Sequence, residues 1–239
     1  MTHGSLFSGI GGFDLGANMA GIKTLWSCEI EEFQRNILKK HFTNIIQYED
    51  IRKLQKPEYV DIISGGFPCQ DISIAGKGIG IIGERSGLWA EYYRIIRNIR
   101  PKYILIENSP MLLVRGFEKV LCDLSSIGYD AQWQCISNSD FGFPHKRERL
   151  YAFAYDTYKI RRTTIPFFAE ITRETTRTFN RKFSRISSST FWNEDYTEFL
   201  RMDNGVQDNV HRIESIGNAV NPIVSKYLFE CIKKFDKIQ

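Results

Sequence analysis

Short apolar runs alternate along this chain with longer stretches in which apolar residues recur every three or four positions. The runs are SLF (5–7), TLWSC (24–28), VDIIS (60–64), YILIE (103–107), AQWQCI (131–136) and LYAFAY (150–155). Between them lie EEFQRNILKKHF (31–42), LWAEYYRIIRNIR (88–100) and FEKVLCDLSSIG (117–128), the last stopped by Gly128. Runs of this length predict buried strands, and the wider spacing predicts amphipathic helices. Their alternation predicts an α/β fold in which a mostly parallel sheet carries helices on both faces. The rhythm stops near Asp156, where a long stretch rich in Arg, Thr, Ser and Phe shows no sustained period, and an apolar helix over Pro222–Phe235 follows.

In such sheets ligands bind beyond the carboxyl ends of the strands, where loops converge and helix N-termini point. Gly9, Gly11 and Gly12 follow the first strand, Glu29 closes the second, Cys69 follows VDIIS, and Glu107 closes YILIE. All the chemistry-bearing positions therefore fall on one edge.

Composition sharpens this only in places. With 239 residues, 42% of them hydrophobic, the chain can bury one substantial core. The net charge of +4 is modest, but Tyr155–Thr190 holds eight Lys or Arg against three acids, a local +5. A concentrated positive segment suits a polyanionic partner, although a solvated basic loop has the same composition. The five cysteines are widely spaced, with no C-x-x-C pair. That pattern suggests neither a disulfide framework nor a zinc site, and predicts reduced, cytoplasmic chemistry without a metal. No apolar stretch approaches membrane-span length and the N-terminus lacks a signal-peptide layout, so a soluble protein is expected.

FSGIGGFDLG (7–16) puts glycines where a strand turns into a helix, leaving backbone N–H groups free for a ligand. It is not a P-loop and does not match G-x-G-x-x-G; alone it reads equally as a structural turn. Glu29, 18 residues after Gly11, adds a carboxylate able to accept both hydrogens of a ribose diol, which favours an adenosine-containing cofactor. Asp50 can take an adenine amino group or be an ordinary turn residue. In GGFPCQ (65–70) two glycines and a stiffening proline present Cys69 outside the strand, ahead of a glycine-rich run, and this favours a nucleophile over a buried thiol. Glu107, at the end of a buried strand, would have a raised pKa and carry a proton. Arg147 and Arg149 alternate onto one face at the start of the last core strand, where they can reach a phosphate or a base carbonyl.

The ordered series FSGIGG, CEIEEF, EDI, GGFPCQDISIAGKG, ERSGLW, IENS, NSDFGFPHKRERL and IGNAVNP resembles the motif order of the cytosine-5 DNA methyltransferases. The resemblance implies a Rossmann-like methyltransferase fold with a discontinuous catalytic domain (1–155 and 209–239) and a small target-recognition lobe at 156–208. It implies that S-adenosylmethionine is held by Phe7, Ser8, Gly9, Ile10, Gly11, Gly12, Glu29, Ile30, Asp50, Ile51, Phe67, Leu88, Asn218, Ala219 and Val220. Phe7 and Ile30 would sandwich the adenine. Cys69 would be the nucleophile, Glu107 the proton donor, and Arg147 with Arg149 the clamp on a flipped cytosine. Gln70, Ser73, Lys77 and Asn108 would contact substrate, with a lid from Asp71 to Gly83. The implied partner is double-stranded DNA, engaged by a monomer. A tRNA methyltransferase of the same fold shares the core motifs, but its Cys-Phe-Thr signature is absent. A catalytically idle relative would have lost Cys69 or Glu107, and a dinucleotide oxidoreductase leaves GGFPCQ and KRER without a role.

Overall fold

A computed structural model of the protein describes residues 1–68, 87–143, 146–160, 166–168, 215 and 217–239. Cys69, Gln70, Ser73, Lys77 and the whole of 71–83 lie outside the described residues, as does most of 156–208. Seven strands form one sheet: β1 (Thr2–Leu6), β2 (Lys23–Cys28), β3 (Ile46–Tyr48), β4 (Ile62–Gly65), β5 (Tyr103–Asn108), β6 (Tyr129–Ser137) and β7 (Glu148–Asp156). The spatial order is β3-β2-β1-β4-β5-β7-β6. The first five pair in parallel, and β7 runs antiparallel between β5 and β6.

Period-two alternation distributes the apolar residues to two layers. Tyr103 and Leu105 of β5 face one core, with Phe153 and Tyr155 of β7, while Ile104 and Ile106 face the other, with Ala152 and Ala154. The first core takes helices α1 (Gly12–Met19) and α5 (Pro222–Ile238), and the second takes α3 (Leu88–Ile99) and α4 (Phe117–Ser126). A further helix, α2 (Glu32–His41), buries only Leu38 and carries Lys39, Lys40 and His41 in its last turn, where cations suit the helix dipole. Near the centre, His3 of β1 bridges Thr24 on β2 (2.9 Å) and Ser64 on β4 (2.7 Å). Burial pushes its pKa down to about 3, so the imidazole is neutral and pins three strands in register.

Two boundaries differ from the sequence expectation in instructive ways. Phe7, counted with the first strand, leaves it with φ +52, because the chain has to turn into the glycine loop. The α3 pattern ends one residue early, at Ile99, where Arg100 takes φ +51. The Arg100 guanidinium binds the fully buried Asp156 carboxylate (2.9 and 3.2 Å) and the Ile127 carbonyl (2.8 Å), and lies 5.4 Å from the Tyr129 ring centre. Arg100→Met is expected to destabilise the fold by about 3 kcal/mol, because it strands a buried charge. Adding Asp156→Leu should recover most of that loss. Chemical denaturation of the single and double variants checks both.

The chain's last part returns to the first helix. Asn221 caps α5 by accepting from the Ile223 N–H (3.0 Å), with Pro222 at the first helical position. Ser225 Oγ donates to the Gly12 carbonyl (2.9 Å), and Lys233 Nζ donates to the Ala20 carbonyl at the end of α1 (2.8 Å).

Candidate active site

The edge at the carboxyl ends of β1 and β2 is built around one carboxylate. Glu29 is 7% exposed; its Oε2 accepts the Gly9 N–H (2.7 Å) and its Oε1 the Glu31 N–H (2.9 Å). Gly9 has φ +56 and Gly11 φ +91, a conformation glycine adopts without the Cβ penalty, and this turn aims the Gly9 N–H at Glu29. Burial raises the Glu29 pKa, opposed by the backbone donors. Ser8 is buried and donates to Ser5 Oγ (2.9 Å), beneath the loop. Arg35 of α2 donates to the carbonyls of Glu29 and Ile30, which fixes the backbone on either side.

Around Glu29 stand apolar faces. Ile30 is 54% exposed, while Phe7 and Ile10 are half-buried. The returning chain closes the other side: a Cβ placed on Gly12 would lie 2.2 Å from the Val220 carbonyl oxygen, so the backbones touch there. Ala219 and Val220 are half-buried and Asn218 is exposed. A buried carboxylate between a glycine turn and an unpaired apolar side chain fits a nucleoside, with the carboxylate for the diol and the apolar faces for the base.

Several of the other residues expected to touch a cofactor also make contacts within the protein. Asp50 forms a two-pronged pair with Arg52 (2.9 and 2.9 Å), whose guanidinium holds its carboxyl below the usual range. Ile51 is buried, and its carbonyl accepts from Arg94 of α3 (2.8 Å), which also binds the Leu54 carbonyl (2.8 Å). Phe67 is buried with its ring 5.5 Å from that of Trp89, so it faces the core. Leu88 is half-buried at the start of α3.

The second half of the edge joins β5 to β7. Tyr151 lies directly opposite Glu107 in the antiparallel register. Opposed residues share a face, so Arg149, two positions earlier, is the diagonal neighbour of Glu107, within reach of a long side chain. Its Nε lies 3.1 Å from Glu107 Oε1. Glu107 is 8% exposed, and burial raises its pKa against the opposing pull of Arg149 and Arg147. Arg147 is held below its usual value by burial and by Arg149. The other carboxylate oxygen lies over Gly66, where an added Cβ would approach it to 2.6 Å.

Asn108, expected to contact substrate, is 2% exposed. Its Nδ2 donates to the Phe67 carbonyl (3.1 Å) and its Oδ1 accepts from the Ser109 N–H (2.8 Å). This side chain ties the end of β5 to the turn that runs into Cys69. Gln34, Arg35 and Arg94 support the site but escape a reading of the sequence. Arg94 carries only a helical i,i+3 pairing with Glu91 (2.7 Å) as a signal, and Gln34 carries none. Among the described residues no group of His, Cys, Asp and Glu is placed to hold a metal, and no helix is long and apolar enough to cross a membrane.

Residues 1–204 match the family described as C-5 cytosine-specific DNA methylase. The Type II methyltransferase M2.BsuMI of Bacillus subtilis (strain 168) is 36% identical over 158 residues, covering 63% of this chain and 41% of that one. The Type II methyltransferase M.NgoBI of Neisseria gonorrhoeae is 34% identical over 169 residues, covering 68% and 51%. The chain thus spans about half the length of these relatives or less. Among solved structures, the Entamoeba histolytica methyltransferase EhMeth superposes with a TM-score of 0.67 at 17% identity, covering 100% of this chain and 99% of that one. The S. pombe Dnmt2 methyltransferase does so with 0.59 at 20% identity, covering 85% and 61%. At these identities the two structures speak for the fold.

Proposed function

The chain belongs to the C-5 cytosine-specific DNA methylases, and from that premise we propose that it methylates carbon 5 of a flipped cytosine in duplex DNA. The observation that carries this reading is the Glu107–Arg149 pair at 3.1 Å, set over Gly66 in the turn that leads to Cys69. The cofactor in this proposal is S-adenosylmethionine, which when bound supplies an electrophilic methyl group on a sulfonium. Glu29 takes the ribose diol, Phe7 and Ile30 flank the adenine, and the Gly9–Gly12 turn lets the ligand approach the backbone. Asp50 and Asn218–Val220 complete the rim.

Cytosine carbon 5 is a poor nucleophile until the ring's aromaticity is broken. In the proposed reaction the Cys69 thiolate adds to carbon 6 while Glu107 gives its proton to ring nitrogen 3, which drains the charge that would oppose addition. Arg149 and Arg147 hold the carbonyl side of the base and a neighbouring phosphate. After carbon 5 has been methylated, loss of its proton to solvent, departure of the thiolate and return of the nitrogen-3 proton to Glu107 restore the ring and the acid. None of these atoms is reachable in a stacked duplex, so the base must be flipped out. Gln70, Ser73 and Lys77 are proposed to grip the strand, and the basic stretch at 156–208 to choose the site. The reading is of a monomer working in a reducing, cytoplasmic setting.

The test is transfer of labelled methyl from S-adenosylmethionine to a duplex of mixed sequence, with the modified position located by bisulfite sequencing. Label at cytosine carbon 5 in one short sequence context supports the proposal; label in RNA alone, or at an exocyclic nitrogen, overturns it. In Gly66→Ala protein the new methyl group should push the Glu107 carboxylate off Arg149, lowering the single-turnover rate about a hundredfold. The melting temperature should change little.

A further inference from the structure

Gln34, in the first turn of α2, stands between Glu29 and the returning chain. Its side-chain amide settles into one orientation that satisfies every neighbour. The nitrogen donates to both Glu29 oxygens, at 3.2 and 3.3 Å, and the oxygen then faces Ser215 Oγ at 3.3 Å. The opposite orientation would set an amide oxygen against a carboxylate. Ser215 is 5% exposed and lies 181 residues further along the chain, just ahead of Asn218–Val220.

We propose that Gln34 is a positioning residue: it holds the Glu29 carboxylate in the plane that accepts a ribose diol, and couples that carboxylate to the segment that closes the site. The inference rests on the cofactor reading given above. Its physical basis is that a carboxylate accepting two hydroxyls must stay ionised and must not rotate. Glu29 is buried, which favours the neutral form, and is held by backbone N–H groups alone, those of Gly9 and Glu31 at hydrogen-bond distance and that of Ile30 beside them. A side-chain donor lying across both oxygens favours the ionised form further and fixes the torsion. Because the same amide accepts from Ser215, the carboxylate and the return segment are set together, across the boundary that divides the sequence of this domain.

The test uses calorimetric binding of S-adenosylhomocysteine and of its 2′-deoxy and 3′-deoxy counterparts to the wild type, Gln34→Met, Ser215→Ala and Glu29→Ala. Methionine keeps the bulk of Gln34 and loses its hydrogen bonds. The expected result is that Gln34→Met weakens binding of the full cofactor about five- to tenfold and the deoxy forms much less, so that discrimination for the diol falls. Ser215→Ala should move the same quantity by a smaller factor. Equal weakening for all three ligands would mark Gln34 as merely structural and overturn the inference, as would tighter binding, which would mean that the amide competes with the ribose. If Glu29→Ala retains full affinity, the cofactor reading itself falls; if Glu29→Ala loses affinity while Gln34→Met does not, only the role of Gln34 does.

Discussion

Cys69→Ser protein is expected to show no methyl transfer to DNA while binding S-adenosylmethionine with nearly unchanged affinity. The two halves of the expectation have separate causes. A hydroxyl at this position has a pKa far above that of a thiol, so almost none is ionised at neutral pH, and oxygen is a poorer nucleophile toward carbon 6. The cofactor contacts proposed here come from the β1 and β2 ends and from the return segment, none of which involves the Cys69 side chain. Transfer should fall by a factor of about 10⁴ or more, to the limit of detection, since covalent addition is the step that makes carbon 5 reactive. A duplex carrying 5-fluorocytosine at the target should trap the wild-type chain as a denaturation-resistant adduct, because fluorine cannot leave as the proton does, and should fail to trap the serine variant. Measurable turnover by Cys69→Ser would remove the covalent mechanism.

Glu107→Gln should lower the single-turnover rate by about 10²–10⁴-fold and leave cofactor affinity within about twofold. Glutamine is nearly the same shape and can still hydrogen-bond, so what it removes is the proton and the charge. The pH dependence should follow. Burial holds the Glu107 pKa above the usual carboxylate value even with Arg149 at 3.1 Å. The protonated fraction is therefore available to higher pH than for a free glutamate, and is lost as pH rises through that raised pKa. The thiolate of Cys69, by contrast, is gained as pH rises. A bell-shaped rate profile results, with Glu107 controlling the loss on one limb and Cys69 the gain on the other. In Arg149→Met protein one of the influences that lowers the Glu107 pKa is gone, so its limb should move to higher pH. A profile that Glu107→Gln leaves unchanged would take the acid role away from this residue.

Most of the fold could be read from the pattern of apolar positions, because strands buried on both faces advertise themselves as short continuous runs. VDIIS, YILIE and LYAFAY each became a strand within two residues of the expected ends. The place of β7 between β5 and β6 was not legible, since strand order depends on which edges meet and not on the composition of either strand. The candidate site was legible where one residue type at one strand end has few alternative uses, as with Glu29 and Glu107. It was illegible where a side chain acts through a partner far along the chain. Gln34 sits among ordinary helix formers, and its contact with Ser215 exists only once α5 has docked on α1. Asn108, expected at the strand end as a substrate contact, also donates its buried amide to the Phe67 carbonyl in the turn before Cys69, a bond no sequence pattern announces.

The sheet takes all seven of its strands from residues 2–156, and the described chain beyond them adds α5 to a face already built. This has a consequence for how such a protein can vary in length. An added residue within β7 would shift its register and turn Arg149 away from Glu107, since one step along a strand reverses the face on which a side chain stands. Residues added between Phe168 and Ser215 leave the seven described strands in register, and closing a longer connection grows costlier only slowly with length. Insertion into that interval is therefore expected to leave the Glu107–Arg149 edge in place, and engineering by insertion should begin there.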